Sequence, residues 1–135
     1  MKNLKLIFAL TIILITSSVV ACQYSAPVAN LMPKEVSMTE AMNLRNAGAF
    51  ILDVRQPDEW NEYHVPGSTL IPLGELDARV KELPRDKPIV VVCRSGNRSA
   101  TGRDILLKAG FPQVTSLAGG LSQWKAAGHP TVTGP

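Results

Sequence analysis

Apolar positions fall into two regimes along the chain. Residues 6–21, LIFALTIILITSSVVA, are almost unbroken in apolarity, whereas beyond residue 33 apolar residues come in short runs separated by polar stretches. In the second regime, PKEVSMTEAMNLRNAG (33–48) predicts a short extended piece and then a helix. Ser37 and Glu40 have the spacing of a capping box, and Gly48 is a helix stop. AFILDVR (49–55) is a compact apolar run of the kind buried on both faces of a sheet. QPDEWNEYHVPGS (56–68) is rich in turn formers, with Pro57 suited to the first position of a short helix. TLIPL (69–73) reads as a brief strand. GELDARVKEL (74–83) reads as a helix with Leu76, Val80 and Leu83 at helical spacing, ended by Pro84.

KPIVVVC (87–93) is rich in β-branched residues and is expected as the central strand. RSATGRDILLKAG (98–110) predicts a helix that begins near Ser99, turns Ile105, Leu106 and Ala109 inward and stops at Gly110. Gly102 should cost that helix up to about 1 kcal/mol relative to alanine. FPQVTSLAGGLSQWKAAGHP (111–130) gives a last short strand, a Gly119–Gly120 turn and a final helix around Trp124. Strands alternating with helices imply right-handed crossovers and a parallel sheet covered on both faces. Ligands of such sheets sit at the carboxyl ends of the strands, and Cys93 lies at that end of the most apolar one.

The first regime reads as targeting rather than fold. Lys2 and Lys5, the apolar core and the small residues before Cys22 form a secretory signal over 1–21, shorter than a bilayer span prefers. Val19-Val20-Ala21-Cys22 resembles a lipobox, with Val19 where leucine is usual, and the same Val-x-Ala also suits ordinary signal peptidase. The polar stretch 22–33 lacks periodicity and reads as a tether, which favours lipidation of Cys22 and a membrane anchor. The expected organisation is therefore a lipoprotein-type signal (1–21), a tether (22–33), a domain (34–130) and a short tail (131–135), exported to the cell envelope or periplasm.

Removing the signal changes the charge. The chain carries 14 basic and 11 acidic residues, or +3; without Lys2 and Lys5 the basic count is 14 less 2, or 12, and the balance is +1. Nothing in that balance argues for nucleic acid. It changes the cysteines as well. With Cys22 acylated, Cys93 is the single free thiol, with neither a disulfide partner nor a resolving cysteine. An unpaired thiol in an exported protein needs a reason.

The loop after the central strand offers one. Cys93-Arg94-Ser95-Gly96-Asn97-Arg98 is followed at once by a helix near Ser99. Gly96 and Asn97 are residue types that tolerate left-handed backbone, and such a loop turns successive N–H groups inward as an anion nest. A helix N-terminus and neighbouring cations lower a thiol's pKa. Arg94 and Arg98 supply fork-shaped donors for an oxyanion. The bland alternative is a buried cysteine flanked by surface arginines. The order strand, glycine loop, arginines, helix favours the cup.

LDVRQPDEW, HVPGS, IPL, VVVCRSGNRSA and LAGGLSQWKAAG together resemble the rhodanese-like sulfurtransferases over nearly all of 34–130. That resemblance implies an α/β, doubly wound sheet of about five parallel strands with helices on both faces. It also implies transfer of sulfane sulfur through a Cys93 persulfide, from a donor such as thiosulfate to an acceptor such as cyanide or a thiol. A sulfur-carrying module that acts with a partner protein is the alternative reading. Related cell-cycle phosphatases have one more residue between cysteine and arginine than the four between Cys93 and Arg98, which ranks phosphatase or arsenate reductase lower. Two positions depart from the family pattern: Tyr63 precedes His64 where glycine is usual, and Leu70 stands where asparagine is common.

Other polar residues receive structural readings. Asp53 and Arg55 lie at the same sheet edge as Cys93 and either orient its loop or brace the following turn; bracing is favoured, and Glu59 is read the same way. His64 belongs to a turn whose imidazole is satisfied by backbone, and His129 has no assigned role. Trp60 and Trp124 suit core or lid packing. No spacing of His, Cys, Asp or Glu suggests a metal site, and no cofactor is implied.

Overall fold

The computed structural model describes residues 32–135. The signal, Cys22 and the first part of the tether lie outside the described residues. The elements follow in the order β1 (Glu35–Val36), α1 (Met38–Asn46), β2 (Phe50–Asp53), α2 (Pro57–Glu62), β3 (Thr69–Leu70), α3 (Leu73–Arg79), β4 (Ile89–Val92), α4 (Asn97–Lys108), β5 (Val114–Leu117) and α5 (Gly120–Ala126). A 3-10 turn (Val80–Glu82) extends α3. The strands form one sheet in the order β1-β5-β4-β2-β3, and every pairing is parallel. The β-branched run is the central strand, as its composition predicts.

Alternation along β4 divides the core. Ile89, Val91 and Cys93 pack with Leu76 of α3 and Leu106 of α4 on one face. Val90 and Val92 pack with Ala41 of α1 and with Leu121 and Trp124 of α5 on the other. Tyr63 and Val65, just after α2, belong to that second face. The chain therefore leaves β2 towards one face and β4 towards the other, which opens a crevice beyond the carboxyl ends of these neighbouring strands. Cys93 is delivered to that crevice.

Local chemistry accounts for the element ends. Ser37 Oγ accepts from Glu40 N–H at 3.3 Å while Glu40 Oε2 accepts from Ser37 N–H at 2.8 Å, the capping box the spacing predicts. The expected strand 69–73 is shorter: its ladder ends at Leu70, and Pro72, which has no N–H to give, becomes the N-cap of α3. Helix α4 begins at Asn97, ahead of Ser99. Gly96 alone makes the left-handed turn (φ 108°), and Asn97 is already helical. Gly102 has a reason in packing. A Cβ there would lie 3.1 Å from Val91 Cγ1 and 3.3 Å from Val54 Cγ1, so glycine lets α4 rest against the sheet.

Residues set aside as a tail also make contacts. Val132 and His64 exchange backbone hydrogen bonds at 2.8 and 2.9 Å, and Gly134 N–H donates to Asn61 O at 2.9 Å.

Candidate functional site at the switch-point crevice

Cys93 follows directly from β4 and is 1% exposed. The loop beyond it is shaped from behind by α5. Leu121 N–H donates to Cys93 O at 2.8 Å and Ser122 N–H donates to Arg94 O at 3.0 Å. These bonds draw the loop's carbonyls towards α5. Gly119 and Gly120 make the close approach possible with φ of 70° and 64°; a Cβ on Gly120 would fall 2.6 Å from Cys93 O.

On the other side, Gly96 N–H donates to Cys93 Sγ at 3.1 Å. Ser99 Oγ lies 3.5 Å from Sγ, where it accepts from the thiol, and its own proton goes to Gly96 O at 2.8 Å. Burial pushes the thiol's pKa up. The Ser99 hydroxyl and the N–H groups of Ser99, Gly96 and Ser95 push it down, and together they prevail, so the thiol ionises below its ordinary range. Upon ionisation the Ser99 hydroxyl can turn its proton to the sulfur. Cys93 is the free thiol among the described residues, and its surroundings favour its anion.

The two loop arginines take a different position from the one expected. Arg98 is bound by Glu59 in a bidentate pair, Nη1 to Oε2 at 2.7 Å and Nη2 to Oε1 at 2.8 Å. Arg94 is half exposed and stands 3.9 Å from Glu59 Oε1 and 3.8 Å from Glu62 Oε2. Its guanidinium thus faces carboxylates at the rim. The Arg98 hydrogen bonds hold the Glu59 carboxyl down at about 2, against a smaller opposing effect of burial, so it stays charged through any ordinary pH. Asn97 is exposed and contributes its place as first residue of α4.

Asp53 and Arg55 form a sealed pair beside the site. Arg55 Nε donates to both Asp53 oxygens at 2.9 and 3.0 Å, and Nη2 donates to Oδ2 and to Tyr63 O, each at 2.7 Å. This braces the turn after α2, and none of the pair's hydrogen bonds goes to the sulfur, in keeping with the structural reading. His64 Nδ1 is 3.0 Å from Trp60 O, and the Trp60 ring stacks on the imidazole at 3.6 Å. The structure thus brings Cys93, Ser95, Gly96 and Ser99 together and sets Asp53 and Arg55 apart. Sequence reasoning missed two residues. Glu59 was read as a brace and in fact grips the active loop, and Gly120 was read only as a turn. The Gly-Gly pair ahead of an apolar helix was the available signal for the second. For the first, a separation of 39 residues offered none.

The model for the rhodanese-like domain matches residues 37–127. The chain belongs to the rhodanese-like family. The thiosulfate sulfurtransferase GlpE of Pseudomonas syringae is 35% identical over 92 residues, which cover 68% of this chain and 87% of that protein. YrkF of Bacillus subtilis, named as a proposed sulfur carrier, is 39% identical over 74 residues; these are 55% of this chain and only 40% of YrkF. A rhodanese-related protein from Thermoplasma volcanium superimposes with a TM-score of 0.69 at 32% identity, covering 74% of this chain and 98% of that one. The doubly wound parallel sheet expected from the sequence is the fold of this rhodanese-like domain. Tyr63, which departs from the family pattern, is accommodated without strain. Its backbone is extended (φ −170°), and its ring lies between Arg55 Cζ at 5.0 Å and Lys125 Nζ at 4.2 Å.

Proposed function

We propose that the protein is a sulfurtransferase that carries sulfane sulfur on Cys93. The thiolate attacks the outer sulfur of a thiosulfate-like donor. A new S–S bond forms on Cys93 as the donor's own S–S bond breaks, and sulfite leaves with the electron pair. Cyanide or a thiol then takes the outer sulfur and returns Cys93 as its thiolate, so one difficult transfer becomes two easier ones. The observation that carries this reading is the Gly96 N–H held 3.1 Å from the buried sulfur, backed by the Ser99 hydroxyl. Donors that favour a thiolate also favour a persulfide anion, because both place a single negative charge on sulfur. The name of the GlpE relative supports the same chemistry.

The name of YrkF supports a second reading, a domain that holds the persulfide for a protein partner. Turnover with small donors, against transfer only to a protein, separates the two. A phosphatase or arsenate reductase ranks below both, because the loop is one residue short and Arg98 is already held by Glu59. The pattern of residues 1–22 supports export and anchoring at the cell envelope through acylated Cys22, which the mass of the mature N-terminus tests.

For the chemistry, the protein is incubated with thiosulfate and cyanide and thiocyanate is measured. Cys93→Ser should lose turnover by at least about a thousandfold while remaining folded. Full turnover by that variant would overturn the assignment.

A further inference from the structure

The transfer chemistry makes no use of Glu59, yet this residue is more firmly fixed than any other charged group at the crevice rim. It is held on two sides: Gln56 N–H donates to Oε2 at 3.1 Å, and Arg98 donates to both oxygens. Its side chain is 17% exposed, against 55% for Arg94 and 57% for Glu62. The outer Arg94–Glu62 contact is therefore screened by solvent, and Glu59–Arg98 is the pair that shapes the local field. Arg98 lies on the first turn of the helix that follows Cys93, near enough for the two charges to interact. A lone guanidinium there would attract a dianion twice as strongly as a monoanion. Paired with a carboxylate at 2.7 Å it acts as a dipole, whose reach is much shorter.

We propose that Glu59 is a positioning residue that sets donor preference: by holding Arg98 it cancels positive charge beside Cys93 and favours alkyl persulfides over the thiosulfate dianion. This rests on the reading of Cys93 as the sulfur-accepting nucleophile. With such a donor the Cys93 thiolate attacks the outer sulfur of R–S–SH. The new bond is Cys93 S–S, the bond broken is the donor's S–S, and R–S⁻ leaves with the electron pair and is protonated by water. No outside oxidant or reductant is needed.

The decisive measurement compares alkylation of Cys93 in the whole protein by iodoacetate, an anion, and by iodoacetamide, which is neutral. Their rate ratio cancels the thiolate fraction, so a shifted thiol pKa does not imitate the effect. Glu59→Gln should raise the ratio roughly three- to tenfold at low salt, and molar salt should erase most of the gain. Arg98→Gln, which leaves the carboxylate only the solvent-exposed Arg94 at 3.9 Å, should move the ratio the other way and serves if the first variant fails to fold. Glu59→Asp keeps the charge and should stay within about twofold of wild type. In steady state, Glu59→Gln should lower KM for thiosulfate by a similar factor, with kcat and the KM for 2-hydroxyethyl persulfide, whose organic part is uncharged, little changed. A ratio that does not rise in Glu59→Gln, or an equal loss of kcat on both donors, overturns the proposal. A wild-type protein that is alkylated yet accepts sulfur from neither donor sinks the sulfur-transfer reading instead, and the alkylation ratio still decides the role of Glu59.

Discussion

Two loops leave neighbouring strand ends at the same edge of the sheet, and they treat buried polar groups in opposite ways. After β2, Asp53 and Arg55 are 0% and 1% exposed and spend their hydrogen bonds on each other, with one left for Tyr63 O. After β4, Cys93 is equally buried, but its partners are N–H groups and a hydroxyl that suit the sulfur anion better than the thiol. Burial and charge are therefore poor guides to reactivity here. What distinguishes the second loop is a titratable group whose surroundings favour the protonation state that reacts.

The largest effect should come from breaking the sealed pair. Asp53→Asn keeps the shape but leaves a buried guanidinium without its countercharge, which should cost about 3–5 kcal/mol in urea unfolding. Because neither residue hydrogen-bonds to the sulfur, the surviving folded molecules should keep wild-type thiol reactivity. A variant that lost that reactivity while staying stable would erase the contrast between the loops.

That contrast was partly legible in the sequence. The run Ile89–Val92 fixed a central buried strand, and its end placed Cys93 at the ligand edge, because β-branched composition and strand direction are local properties. Ser37 and Glu40 announced their helix for the same reason. Legibility failed where partners come from elsewhere in the chain. Arg98 looked free to grip an oxyanion because nothing near it in sequence reveals Glu59, and Asn97 looked able to share the left-handed turn until Gly96 was seen to take it alone. The start of α3 depended on Pro72 ending a ladder already short of partners. Export and the lipidation of Cys22 fall on residues outside those described.

Gly120→Ala should rank second and separate shape from charge. The new Cβ would meet Cys93 O and Arg94 at a backbone φ of 64°, so strain and overpacking add to about 2–3 kcal/mol. Unlike Asp53→Asn, it should also slow alkylation of Cys93 in the folded protein, because the loop's carbonyls can no longer dock on α5. Unchanged alkylation kinetics would show that the cup keeps its form without that support.

The smallest effect isolates one contact. Ser99→Ala removes the hydroxyl 3.5 Å from Cys93 Sγ and leaves the N–H donors of Gly96 and Ser95 in place. Since the hydroxyl lowers the thiol's pKa against the effect of burial, its loss should raise the midpoint of the pH–alkylation profile. At pH values below the wild-type midpoint the rate should fall roughly tenfold, the worth of one hydrogen bond to a charged acceptor. Above both midpoints the two proteins should react alike, because each is then fully thiolate. Stability follows the same sign. A thiol whose folded pKa is depressed adds stability that is complete above the unfolded pKa and lost as pH falls through the folded one, so the gap between wild type and variant should widen as pH rises through that window. Ser99 has one proton, which goes to Gly96 O at 2.8 Å beside the thiol and turns to the sulfur beside the thiolate. The pH-dependent part of the gap therefore reports the sulfur contact net of the Gly96 O bond given up for it. Ser99→Thr, which keeps the hydroxyl, should restore it, and superimposable profiles for wild type and Ser99→Ala would assign the lowered pKa to the backbone donors.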